Sequence, residues 1–218
     1  MPIYANQPWV RRFLAFFAVL MGTGLAGLAP FAAHAQMATP EQAMSEMSMG
    51  SVDAPVTLNE YASLTCGHCA NFHKNTLPQI KKEYVDTGKV RIVFHDFPLG
   101  NLAKGAVMIA RCAGPDRFVD LTDMLFQTQN NWAMSDNPLG SLIALTRFYG
   151  LNGDDVNACL NNQSLMKFVE TNAANASALY NIKSTPSFVI DGMLIEGALD
   201  FDVFQKALDD ALAAKGVE

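Results

Sequence analysis

A dithiol motif, C-G-H-C at Cys66–Cys69, stands between a strand pattern and a helix pattern, and strand patterns return only near the far end of the chain. Val56–Tyr61 (V-T-L-N-E-Y) alternates in polarity and is β-branched enough to predict a strand with one buried face. Ala70–Tyr84 predicts a helix through Phe72, Leu77, Ile80 and Tyr84, interrupted by Pro78. Asp86-Thr87-Gly88 is a turn, and Val90–Phe94 (V-R-I-V-F) a second strand of buried character. Periodic apolar stretches then run over 102–113, 117–132, 139–149, 154–160 and 164–180, separated by Gly-Pro, Asn-Pro and Asn-Gly punctuation. They predict an all-helical block of four or five helices. Ser187–Ile190 and Met193–Glu196 follow as strands, joined by Asp191-Gly192, a strong hairpin signal. Asp200–Lys215 closes the chain as an amphipathic helix with Phe201, Phe204, Leu208 and Leu212 on one face. No internal repeat is visible. An α/β core split by a helical insertion accommodates this order economically.

Composition bounds the rest. Half of the 218 residues are hydrophobic and 17% are charged, which excludes a disordered chain. With 15 basic and 21 acidic residues the formal charge is −6, so no global basic field attracts nucleic acid. Residues 1–35 have the pattern of an export signal. Arg11-Arg12 form the basic n-region, Phe13–Ala33 carry no charge, and Ala33-His34-Ala35 offers a cut before Gln36. The alternative is an uncleaved anchor, against which Gly22, Gly24, Gly27 and Pro30 break the second half of the run. Either way the body is exported, and cleavage leaves 13 basic against 21 acidic residues. In a bacterium that means the periplasm, where disulfides persist. Residues 36–54 are rich in Met, Ser and Glu and are expected to be a tether. Residues 55–100 and 180–218 then form the split core, with 101–179 as the insertion.

C-x-x-C alone is shared by redox, zinc and haem sites. Ala70 stands where haem attachment needs His, and Cys112 and Cys159 are too far apart to supply a second zinc pair. The redox reading has a physical basis. Cys66 opens a helix, so free backbone N–H groups and the helix dipole favour its thiolate. His68 adds positive charge or a donor to the same sulfur. Cys69, one turn further in, suits a buried resolving thiol. Stabilising the reduced form makes the disulfide a stronger oxidant.

The ordered set of strand, C-G-H-C, helix, a late Thr185-Pro186, two strands and a helix resembles the thioredoxin fold. The long helical insertion resembles DsbA-type periplasmic thiol:disulfide oxidoreductases, over about residues 52–216. The resemblance implies that Cys66 is the nucleophile, Cys69 the resolving cysteine and Pro186 a cis-proline beside the dithiol. It further implies that Thr185 offers backbone groups to an extended substrate. Glu60, six residues before Cys66, falls where these folds keep a buried acid that relays the Cys69 proton. By alternation it shares a face with Val56 and Leu58, which favours burial. The Gly-His pair between the cysteines is that of protein disulfide isomerase, where many DsbA enzymes have Pro-His.

Cys112 and Cys159 are expected to form a structural disulfide, with a pair that modulates the potential of Cys66–Cys69 as the sharper alternative. Met37, Met44, Met47 and Met49 are soft donors suited to Cu(I), the alternative being a flexible tether or a self-association helix. His73 is expected at the surface, and His95 is undecided. The chain is expected to be a monomer that donates disulfides to reduced or misfolded exported proteins. A membrane quinone-linked DsbB-type partner would reoxidise it, and no organic cofactor is needed. A disulfide isomerase or reductase and a copper-handling protein are the competing functions.

Overall fold

The structure is a computed structural model that describes residues 36–217. The expected export signal lies outside the described residues. The described residues begin with α1 (Pro40–Ala43), which starts at a capping box between Thr39 and Gln42 with Pro40 in its first turn. Next come β1 (Met47–Met49), β2 (Val56–Ala62), α2 (Gly67–Asn75) and α3 (Leu77–Ile80). A π-helical turn at Lys81–Val85 leads into β3 (Val90–Asp96). The helical block comprises α4 (Asn101–Cys112), α5 (Pro115–Gln127), α6 (Gln129–Ala133), α7 (Pro138–Thr146), α8 (Gly153–Leu160) and α9 (Gln163–Tyr180). Strands β4 (Ser187–Ile190) and β5 (Met193–Glu196) and helix α10 (Phe201–Ala214) complete the chain.

The five strands form one sheet in the order β1-β3-β2-β4-β5. Only β2 and β3 are parallel, and they are joined through α2 and α3 as a crossover. The β4–β5 turn places Asp191 at φ 47° and Gly192 at φ 84°, the left-handed pair that a two-residue hairpin requires. Register aligns Glu60 with Phe94 on one side and Phe188 on the other, and Leu58 with Ile92 and Ile190. These residues make one buried sheet face. Phe72, Phe188 and Phe204 cluster on it with ring centroids 4.5–5.3 Å apart, tying α2 and α10 to β4. Such aromatic pairs add roughly 0.5–1.5 kcal/mol each beyond their burial. The opposite face carries Tyr61 and Val189, packed with Ala176 of α9 and Ile182.

Two expectations are corrected. The block expected as four or five helices holds six α-helices and a 3₁₀ turn at Arg147–Tyr149, because the stretch at 117–132 breaks at Thr128. The expected tether, residues 36–54, is in large part packed. Met47 is fully buried, and β1 pairs antiparallel with β3 as an edge strand. Its backbone is held by groups from the helical block: Ala38 N–H donates to the Cys112 carbonyl at 2.8 Å. Arg111, ion-paired with Asp96, donates to the carbonyls of Ala43 and Ser45 at 3.1 Å each. Met44 and Met49 pack against the core and Met47 lies inside it, so the four thioethers are not a free copper-ligand set. Among the described residues, no helix is long and apolar enough to cross a membrane.

Candidate active site

The end of β2 and the start of α2 place the dithiol. Cys66 is the N-cap of α2 in an extended conformation, and its Sγ accepts the backbone N–H of Cys69 at 3.3 Å. A helix N-terminus leaves its first N–H groups without intrahelical partners, so a sulfur at this position meets donors that favour negative charge. As a thiol, Cys66 also donates to the Thr185 carbonyl at 3.3 Å. The Thr185–Pro186 peptide is cis, and it sets that carbonyl against the dithiol immediately before β4.

The two thiols differ sharply in proton affinity. Cys66 is lowered to about 5, chiefly by a hydrogen bond from the Cys69 thiol. Partial burial opposes the shift, while Thr185 and the backbone N–H groups of Cys69 and His68 add to it. The Cys69 thiol is pushed far up by burial, and the neighbouring Cys66 raises it further. Near neutral pH the pair is therefore one thiolate beside one thiol. His68 acts on Cys66 through its backbone, and its side chain is exposed. Both Cys66 and Cys69 are unbridged in this structure.

Glu60 is fully buried, as strand alternation predicts, and its Oε1 lies 3.0 Å from His73 Nε2. The surface position expected for His73 is wrong: its side chain is 2% exposed and sits between Glu60 and Asp123 Oδ1, the latter 3.6 Å from Nδ1. A helix face explains the error. His73 is four residues after Cys69 on α2, so both point toward the buried side of the sheet. That spacing was the signal available in the sequence. Gln129 of α6 carried none. Its buried amide donates to the carbonyls of Leu64 at 2.8 Å and Cys66 at 3.0 Å, so the insertion clamps the loop that presents Cys66.

The second cysteine pair lies apart from this centre. Cys112 of α4 is bonded to Cys159 of α8, with Cα atoms 6.3 Å apart. His95 is half-buried on β3, donates from Nε2 to Asn59 Oδ1 at 2.9 Å and stacks on Tyr61 at 4.5 Å. Burial lowers it to about 4, so it stays neutral above that range. Among the described residues, no group of three or more His, Cys, Asp or Glu side chains is arranged to hold a metal.

This sheet, split by a helical block and carrying a dithiol at a helix N-terminus opposite a cis-proline, is a thioredoxin fold. The thioredoxin family model matches residues 42–210, and the chain belongs to that family. Its solved neighbours within that fold include DsbA structures. The chain is similar to the crystal structure of Wolbachia pipientis alpha-DsbA1, with a TM-score of 0.72 and 27% identity, over 82% of this chain and 94% of that one. The fold is also that of oxidised BdbD from Bacillus subtilis, with a TM-score of 0.68 at 22% identity over 82% and 97% of the two chains. A Rickettsia prowazekii protein provisionally named a protein-disulfide oxidoreductase is 30% identical over 169 residues, 77% of this chain and 62% of that protein. The chain thus matches less than two thirds of the length of that relative.

Proposed function

We propose that this protein is an exported thiol:disulfide oxidoreductase that donates the Cys66–Cys69 disulfide to reduced or misfolded proteins in the periplasm. The observation that carries the reading is the placement of Cys66 Sγ at the start of α2, 3.3 Å from the Cys69 N–H and 3.3 Å from the Thr185 carbonyl before the cis-proline, which lowers Cys66 while burial raises Cys69. A substrate thiolate attacks Cys66 Sγ, breaking the Cys66–Cys69 bond and forming a mixed disulfide. A second substrate thiolate then displaces Cys66. The substrate gains a disulfide, and the enzyme keeps two electrons as the Cys66 thiolate and the Cys69 thiol. Because Cys66 is a good leaving group, release of the oxidised substrate is favoured. Thr185 and Pro186 line the place where an extended substrate backbone meets the dithiol. Glu60 serves the Cys69 proton. A DsbB-type membrane quinone oxidoreductase restores the disulfide, and the protein works as a monomer. Its dithiol carries the electrons, so it uses no organic cofactor. Cys112–Cys159 has a structural role.

The name borne by the Rickettsia relative is consistent with this activity. The test is the reduction potential of Cys66–Cys69 by equilibration against glutathione. The expected value lies between about −120 and −180 mV, where a dithiol donates disulfides. A value near about −270 mV, as in thioredoxin, overturns the donor role and assigns the protein to a reductase fed from the membrane.

A further inference from the structure

Glu60 Oε2 and His73 Nδ1 are buried without a hydrogen-bond partner among the described residues. Buried polar atoms of this kind are few in folded proteins and call for a reason. The His73 ring forms a wall shared by two cavities. The inner one, about 30 Å³, is lined also by Glu60, Leu64, Phe94 and Phe126, and has room for a water molecule. The outer one, about 260 Å³, is lined also by Leu77, Lys81, Asp120 and Asp123. Nε2 faces Glu60 at 3.0 Å, and Nδ1 faces Asp123, whose side chain is 45% exposed.

We propose that His73 is the positioning and proton-exit residue of the dithiol, coupling the buried Glu60 to solvent through its Nδ1 and Asp123. The inference rests on the exchange activity proposed above and assigns it a proton route. In the reduced protein Cys69 is a thiol, Glu60 a carboxylate and His73 an imidazolium. When Cys69 attacks the mixed disulfide during reoxidation, its proton passes to the Glu60 carboxylate. His73 then keeps only the partly exposed Asp123 as a negative partner, and its Nδ1 proton leaves past that carboxylate to water. Nε2 keeps its hydrogen. On reduction each transfer reverses: Glu60 returns its proton to the nascent Cys69 thiolate, and Nδ1 takes one up from water. The oxidised enzyme and two substrate thiols thus give the Cys66 thiolate, the Cys69 thiol, the substrate disulfide and one released proton. The Glu60 and His73 charges are present together in the reduced protein and absent together in the oxidised one, so neither redox state buries one without the other.

The electrostatics of the reduced protein agree. Burial opposes charge on His73, yet Glu60 and Asp123 outweigh it and raise the imidazole to about 9. The other titratable groups facing this ring are Asp120 and Lys81 at the outer cavity and His95 and Asp96 at the inner one. Asp96 is already matched by Arg111.

The test is a ¹⁵N NMR titration of the His73 ring in the oxidised and reduced full chain. The expected result at pH 7 is an imidazolium in the reduced protein and a neutral ring, protonated on Nε2, in the oxidised one. An unchanged protonation state overturns the inference. Asp123→Asn, a partly exposed change that leaves Glu60 and the dithiol in place, is the second arm. It is expected to slow Cys69-dependent resolution of a Cys66 mixed disulfide about tenfold at pH 7. It should leave alkylation of Cys66 unchanged. Equal resolution rates in wild type and Asp123→Asn count against the exit route. Failure of the wild-type chain to oxidise a reduced peptide removes the exchange reading itself, whereas activity with a redox-independent His73 removes only this proposal.

Discussion

Cys66 and Cys69 stand as thiols at the first turn of α2, whereas Cys112 and Cys159 are bonded to each other between α4 and α8. Burial does not separate the two pairs, since all four sulfurs belong to the core. What differs is the backbone around them. Cys66 caps a helix whose first N–H groups point at its sulfur, and Cys69 presses a thiol donor against it. Cys112 and Cys159 lie in the last turns of their helices, where the N–H groups are already paired along the helix. Reactivity therefore follows from unpaired donors at a helix start rather than from the presence of a cysteine pair. Sequence separation acts in the other direction: linking residues 47 apart constrains the unfolded chain far more than a C-x-x-C bridge can.

The comparison breaks most directly at Cys66. Cys66→Ser is expected to lower oxidation of a reduced peptide on the order of a thousandfold, because the hydroxyl supplies no thiolate at neutral pH. Retention of most of the activity would mean that the chemistry lies elsewhere. The second pair should respond in the opposite sense. Cys112→Ala/Cys159→Ala is expected to lose about 4 kcal/mol in urea unfolding on the chain-entropy account while peptide oxidation persists. An unchanged stability with a shifted reduction potential would make that pair a modulator of the dithiol.

Much of this contrast was legible in the sequence, and the reasons differ by residue. The order of strands and helices followed from apolar periodicity, and the helix-opening place of Cys66 from the strand that precedes it. Glu60 could be placed inside by alternation with Val56 and Leu58. What escaped were residues whose role depends on contacts made across the fold. His73 looks like any polar helix residue until β2 and α5 bring Glu60 and Asp123 to its two nitrogens. Residues 36–54 have a poor apolar pattern, but Met47 needs only three residues of edge strand and the donors of Arg111 to be buried. Gln129 is one of several amides near the end of the long helical stretch, and nothing local marks it as the one that reaches the loop before Cys66.

Gln129 tests whether the insertion takes part in presenting Cys66. Gln129→Leu removes the donors to the Leu64 and Cys66 carbonyls and leaves both acceptors buried. A cost of about 2 kcal/mol in unfolding is expected for unsatisfied groups of this kind. A severalfold slower peptide oxidation should accompany it, with the Cys112–Cys159 bond unaffected. Stability lost without any change in rate would confine Gln129 to packing.

The smallest effect is the most diagnostic of the first pair's chemistry. Alkylation of the reduced protein by iodoacetamide should modify Cys66 at pH 7 and spare Cys69, followed by mass spectrometry of the labelled peptides. Since only the thiolate reacts, the Cys66 rate should fall about tenfold between pH 7 and pH 4, tracking the group at about 5. The same titration has a sign in stability. A thiol whose folded value is depressed stabilises the reduced fold fully above its unfolded value near 9 and loses that contribution as pH falls through about 5. The disulfide form has no such group. The thermal midpoint of the reduced protein should therefore rise relative to that of the oxidised protein as pH increases from about 5 to about 9. A constant difference across this window would mean that Cys66 is an ordinary thiol, and the helix-start argument for the contrast between the two pairs would fall with it.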